Sequence, residues 1–203
     1  MLKLQPRERG VTLIELMVGV SLIAIVLALA MPSFSTTLQS RQIRTSADTI
    51  RSGLSMARNE ALRRNRSVSF AVASDGGWSV GCDPFDATVG TDGEVVCPAT
   101  ITSRAGTSST RNAIITPKEK QSDGTTDSAS SAFTGTVRFT SLGRVDTATL
   151  AAGDIADFEV TNPTGGTCAL SGGEMRCLRV LVTAMGQVRM CDPAVAAGDP
   201  RAC

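Results

Sequence analysis

The 203-residue chain has no histidine and no tyrosine, a single tryptophan, and only 3% aromatic residues. Without an imidazole there is no Ser-His-Asp triad, no histidine-ligated zinc protease site and no histidine general base. So few rings also argue against a base-stacking nucleic-acid platform. No other grouping of base, nucleophile or metal ligand stands out, so neither an enzyme nor a bound cofactor or metal is expected. The remaining composition is ordinary: 42% hydrophobic, 19% charged, formal net charge +1. That is enough to bury a core in one or two domains. The information lies in how unevenly the apolar and charged residues are spread.

Residues 1–10 are basic and polar, with Lys3, Arg7 and Arg9 against Glu8, and Pro6 disfavours a helix there. From Leu16 to Ser40 no residue is charged, and Leu16–Met31 is almost continuously apolar. Val11 to Met31 is 21 residues, about 30 Å of helix and one bilayer core. With the basic flank on its N-terminal side, the segment is expected to cross a membrane once, N-terminus in the cytoplasm. An ordinary cleavable secretory signal is the alternative, and Ala28-Leu29-Ala30 loosely resembles its small-residue site. Glu15 interrupts the run near its start. A carboxylate in hydrocarbon needs a partner, unless it is close enough to the edge to reach the headgroups. Pro32, just past the run, either ends the helix or kinks it.

The octet Gly10-Val11-Thr12-Leu13-Ile14-Glu15-Leu16-Met17, behind a basic leader and ahead of an apolar helix, resembles the type IV prepilin motif. Val11 stands where such motifs more often have Phe. The resemblance implies that a prepilin peptidase cuts after Gly10 and that Val11 becomes an N-methylated N-terminus. It also implies that Glu15 pairs with the N-terminal amine of a neighbouring subunit. Residues 1–10 are then a leader peptide. A carboxylate out of water needs a cation, and cleavage would create one at the same depth.

Beyond Pro32 the pattern changes. Ile43, Ala47, Ile50, Leu54, Ala57 and Ala61 are spaced four, three, four, three and four apart, an apolar helical stripe. Seven arginines surround it (Arg41, Arg44, Arg51, Arg58, Arg63, Arg64 and Arg66) against Asp48 and Glu60, so residues 41–66 carry a net +5. Residues 67–203 carry −5. The basic face is expected to be a solvated surface near anionic lipid or an acidic neighbour rather than a DNA-contacting stripe. The N-terminal helix is therefore expected over 11–66, with its transmembrane half at 11–31.

After Arg66 the period becomes two. Val68, Phe70 and Val72 alternate with small or polar residues. Asp75-Gly76-Gly77 marks a turn before Trp78 and Val80, as in a hairpin. Val137–Thr140 is a further strand, followed by Leu142-Gly143-Arg144. Phe158 and Val160 mark another, and Val180 and Val182 lead through Ala184–Gln187 to Val188 and Met190. Residues 67–203 are expected to form an antiparallel, periplasmic β domain. Periodicity fades from Asp83 to Ala132, most plainly in Gln121–Ser131, so an extended loop insertion is expected near 83–132.

The six cysteines, Cys82, Cys97, Cys168, Cys177, Cys191 and Cys203, lie beyond the apolar segment. They read as disulfides of an oxidising compartment. Six cysteines allow 15 connectivities. The sequence-local set Cys82–Cys97, Cys168–Cys177 and Cys191–Cys203 is expected. A zinc site is disfavoured because there is no CxxC pair and no histidine.

The prepilin start, the helix over Ser46–Arg66, Gly77-Trp78, Phe139 with Gly143-Arg144, and the final Gly186-Gln187-Val188-Arg189 with Cys191-Asp192-Pro193 resemble the GspH/FimT family of minor pilins and pseudopilins. The resemblance implies an α+β, type IV pilin-like fold: a long N-terminal helix packed on a small two-sheet, antiparallel β domain with disulfides. It implies partners in the prepilin peptidase, other pilins and the inner membrane, and a destination in a pilus or pseudopilus. It offers three functions: a minor pilin that assembles or primes a type IV pilus, a DNA receptor for transformation, and a type II secretion pseudopilin. The DNA-binding members carry Gly-Arg-x-Arg. Here Gly186 and Arg189 match, but Gln187 replaces the first arginine. A structural hairpin turn is therefore expected ahead of a DNA contact.

Overall fold

The computed structural model describes residues 10–73, 75–91, 93, 95–106, 112–120, 127–128, 133–150 and 153–203, with backbone alone at 29–36 and 127–128. One 52-residue helix, α1 (Leu13–Arg64), opens the fold. It runs through Pro32 and does not end there. At its far end Asn65 adopts the left-handed conformation (φ 51°) and its N–H reaches the carbonyls of Ala61 and Leu62, a terminus that asparagine tolerates well.

Eleven strands follow among the described residues: β1 (Val68–Val72), β2 (Trp78–Cys82), β3 (Asp86–Val89), β4 (Val95–Cys97), β5 (Thr102–Arg104), β6 (Ile114–Lys120), β7 (Asp127–Ser128), β8 (Thr136–Phe139), β9 (Ile155–Thr161), β10 (Leu178–Thr183) and β11 (Val188–Cys191). They form a four-stranded sheet in the order β5-β2-β1-β8, a five-stranded sheet in the order β11-β10-β9-β6-β7, and a small β3-β4 hairpin. Every named strand pair is antiparallel. The fold is thus α+β, with a long helix on antiparallel sheets.

The helix stripe lies over both larger sheets. Ile43, Ala47, Ile50, Leu54, Ala57 and Ala61 are all fully buried. They meet Val68, Phe70, Val80, Val137 and Phe139 of one sheet and Ala156, Phe158, Val160, Val180 and Val182 of the other. Burying a side chain the size of Ile50 or Leu54 stabilises by about 1.5–3 kcal/mol. The two sheets touch at Phe70 and Phe158, edge to face with ring centroids 5.9 Å apart. The helix leaves room for this aromatic layer at Gly53, where a Cβ would sit 2.7 Å from Phe70 Cε2 and 2.9 Å from Trp78 Cδ2.

The β1-β2 hairpin pairs Val72 with Trp78 and Phe70 with Val80. Its turn is held by Asp75, whose carboxylate accepts from the N–H groups of Gly77 (2.8 Å) and Gly106 (3.2 Å). These bonds hold the Asp75 carboxyl below its usual range, Gly77 contributing most.

The structure departs from the sequence expectation across 83–132. That segment holds β3 to β7, and β6 pairs with β9 along its whole length, from Ile114↔Thr161 to Lys120↔Ile155. Pro117 and three consecutive charged residues hide the strand pattern locally. Long-range pairing with a well-patterned neighbour decides the conformation instead. Among the described residues β7 pairs only with Glu119 and Lys120, so the Pro117 edge has no strand partner among them, where a missing N–H costs least. Of Gln121–Ser131, only 127–128 falls within the described residues.

The cysteines form three disulfides, Cys82–Cys97, Cys168–Cys177 and Cys191–Cys203, with Cα separations of 5.6, 5.5 and 5.1 Å. They staple, in turn, β2 to β4, the turn region before β10, and β11 to the C-terminal residue.

Candidate functional site

The two regions singled out by the sequence lie at opposite ends of α1. At the N-terminal end, Gly10 is exposed and a Cβ there would meet nothing within 4 Å. Thr12 caps α1: its hydroxyl accepts from the Glu15 N–H at 3.3 Å. Thr-x-x-Glu at this point is a capping-box spacing, so the motif also starts the helix. It puts Glu15 one turn above Val11, in the first turn, where the helix dipole favours a carboxylate. Among the described residues the Glu15 carboxylate has no ion pair.

Above Glu15 the helix is apolar on every side. Leu13 is 77% exposed and Leu27 56%, with Leu16, Val20, Ile23 and Val26 between those values. A helix that is hydrophobic all round belongs in a protein interior or in lipid. Among the described residues no helix is long and apolar enough to cross a membrane. The described side chains of this stretch stop at Ala28 and resume at Thr37.

At the other end, the β10-β11 hairpin carries Gly186. Its φ is +76°, and a Cβ would lie 2.0 Å from the Gly143 carbonyl oxygen. Any side chain there would push the two loops apart. Gly143 is itself at φ +73°, and its carbonyl accepts from Arg58 Nε at 3.1 Å. The Val145 N–H donates to Ala184 O at 3.0 Å. Gly186 therefore sits in a packed junction of α1, the loop after β8 and the hairpin. Arg58, grouped by sequence with the basic surface, is the strut of that junction. Nothing local in the sequence signals this, because the contact spans 85 positions.

Arg189 is exposed on β11 and donates to the Cys203 carbonyl at 3.0 Å. Neither neighbouring cation joins it as a free charge. Arg179 is buried and faces Asp157 (3.2 Å) and Glu159 (3.4 Å). Arg201 pairs with Asp199 at 2.8 Å. That pairing pulls the Asp199 carboxyl down to about 2, the Arg201 hydrogen bond contributing most. The exposed side chains around the hairpin tip are mixed: Leu142, Met185 and Leu62 are apolar, whereas Arg144 and Gln187 are charged and polar. Among the described residues no group of three or more His, Cys, Asp or Glu could hold a metal ion.

Comparison with known proteins follows the same division. The family profile for the prokaryotic N-terminal methylation motif matches residues 5–31. Two crystal structures of the type IV minor pilin FimU from Pseudomonas aeruginosa PAO1, in space groups P21 and P65, resemble the fold. They share 17% and 16% identity, cover 77% and 76% of this chain and 92% and 97% of their own, and give TM-scores of 0.45 and 0.43. Comparison with curated proteins finds no match. The profile described as type II transport protein GspH matches residues 46–186, well over half of the chain, and the chain belongs to that family.

Proposed function

We propose that the protein is a minor pilin that takes part in assembling or priming a type IV pilus. The observation that carries this is the first half of α1: an apolar surface on every side, starting at a capped turn with Glu15, directly after Gly10. Such a surface is stable only in lipid or among other such helices. On this reading Val11–Met31 anchors the precursor in the inner membrane, N-terminus in the cytoplasm and β domain in the periplasm. The prepilin peptidase removes 1–10, Val11 is N-methylated, and Glu15 pairs with the amine of a neighbouring pilin as the helix enters the filament. Three disulfides fit an exported domain, whether periplasmic or extracellular.

A secretion pseudopilin is the second reading, favoured by the description of the family profile. Deleting the gene and scoring piliation, transformation and protein secretion together separates the readings. Loss of piliation with normal secretion supports the proposal; lost secretion with intact pili contradicts it. DNA reception is less favoured, because Gly186 is required by packing and Arg179 and Arg201 are ion-paired. Arg189→Gln should leave DNA retention unchanged, and Gln187→Arg should not create micromolar binding at physiological salt. Processing has its own test. Gly10→Val should leave full-length precursor in the membrane, and mass spectrometry of the wild-type protein should find an N-methylated peptide starting at Val11.

A further inference from the structure

A cavity of about 350 Å³ opens between the first helical turns beyond the apolar segment and the end of the five-stranded sheet. Arg41 and Arg44 of α1 form one wall. Arg176, just before β10, and Arg201, from the C-terminal loop, form the other. Leu178 and Met190 add an apolar lining. The C-terminal loop is held in place by the Cys191–Cys203 disulfide and by the Asp192 N–H on Arg201 O at 2.7 Å.

The charges of the cleft do not cancel. Asp192, almost fully buried, takes the Arg176 guanidinium at 2.6 and 3.2 Å. Arg201 is matched by Asp199. Arg44 stands 3.9 Å from Asp48, both largely exposed, a pair worth little. Arg41 has no ion pair among the described residues. Four guanidinium groups face three carboxylates, so one positive charge remains uncompensated, with Arg41 and Arg44 free to turn to a ligand. Guanidinium forks fit phosphate and carboxylate oxygens in pairs.

The position of the cleft selects between those anions. Arg41 lies ten residues past Met31, about 15 Å along the helix. The headgroup layer takes up about 5–8 Å of that distance. Helical side chains incline toward the helix N-terminus, so the long stems of Arg41 and Arg44 lean back toward the apolar segment. We propose that this cleft binds the phosphate of an anionic phospholipid in the leaflet where α1 leaves the bilayer, with Arg41 and Arg44 reaching back to the phosphate and Leu178 and Met190 beside its glycerol. The proposal rests on the membrane-anchored reading above. It gives the basic start of the second half of α1 a role before assembly: it holds the base of the β domain against the membrane until the subunit is extracted.

The test uses the processed full-length chain in detergent. It is titrated with phosphatidylglycerol and with phosphatidylcholine, and bound lipid is counted by native mass spectrometry. Inorganic phosphate and glycerol 3-phosphate are titrated in parallel. Phosphatidylglycerol should bind at least about tenfold more tightly than phosphatidylcholine. Arg41→Gln with Arg44→Gln should weaken it by about thirtyfold, from about fivefold per arginine near an anionic surface. Arg63→Gln, distant on the same helix, should leave it unchanged. Equal binding of the two lipids overturns the proposal. So does soluble phosphate that binds as well as the lipid, which would make this a free-anion site. Unchanged lipid preference in the double variant, with lost co-purification of other pilins, would make the cleft a protein dock and also overturns it. Flotation with vesicles separates the two levels. A chain that enters vesicles without headgroup preference contradicts the cleft alone, whereas one that enters no vesicle contradicts the anchor as well.

Discussion

The two glutamates of α1 stand in opposite circumstances. Glu60, near the C-terminal end, is held by its own helix: Arg63 Nη2 lies 2.7 Å from it and Arg64 Nε 2.9 Å. Glu15, near the N-terminal end, has no ion pair among the described residues and stands in an apolar surface. The halves around them differ in the same way. From Ile43 to Ala61 one stripe of the helix is sealed by the protein's own sheets; from Leu13 to Leu27 all sides are bare. One half is complete within the chain, and the other requires lipid or neighbours. A single helix thus joins a half sealed by the chain's own sheets to a half that they leave bare.

The sharpest way to break that division is to remove equal side chains from each half. Leu54→Ala should destabilise the β domain by about 2–5 kcal/mol, because it opens a cavity in a sealed core. Leu22→Ala should change it by no more than about 0.5 kcal/mol. Urea denaturation of the full chain in detergent, followed by the fluorescence of buried Trp78, measures both. Similar losses would mean that the first half folds against the domain after all. Replacing Cys82 and Cys97 together by serine frees a 15-residue separation and should cost about 3 kcal/mol, with incorporation reduced only through stability.

The glycines give a finer contrast. Gly53→Ala adds a methyl 2.7 Å from Phe70. Overpacking by about 1–3 kcal/mol outweighs the gain in helix propensity of about 1 kcal/mol, so a net loss in urea stability is expected. Gly19→Ala meets nothing within 4 Å and should leave the domain unchanged.

The division was legible in the sequence where the pattern is local. The stripe from Ile43 to Ala61 follows helical spacing residue for residue, and the β1-β2 hairpin follows alternation and Asp75-Gly76-Gly77. What escaped depends on partners far along the chain. β6, with Pro117 among charged residues, is a strand because β9 pairs with it. Gly53 and Gly186 are glycines because Phe70 and Gly143 approach them from another element. The cleft unites α1, the start of β10 and the C-terminal loop, so no window of sequence contains it. The N-terminal motif was readable for the opposite reason, since its residues follow one another in the sequence.

The smallest effect concerns Glu60. The hydrogen bond from Arg63, the largest cause, and that from Arg64 hold its carboxyl below the usual value, against a partial opposing effect of burial. A depressed carboxylate contributes stability above its unfolded value, about 4.3, and loses it as pH falls through the lower folded value. Glu60→Gln should therefore lower urea stability slightly at pH 7, by less than about 1 kcal/mol, and converge with wild type as pH falls through the depressed folded value. A gap that widened on acidification would reverse the assignment.

The most direct measurement is on the other glutamate. Glu15→Ala should give a chain that is cleaved, disulfide-bonded and as stable to urea as wild type, yet depleted at least about tenfold from sheared, purified filaments. The same depletion with a destabilised β domain would assign Glu15 to folding, and normal incorporation would contradict the separation of the two halves.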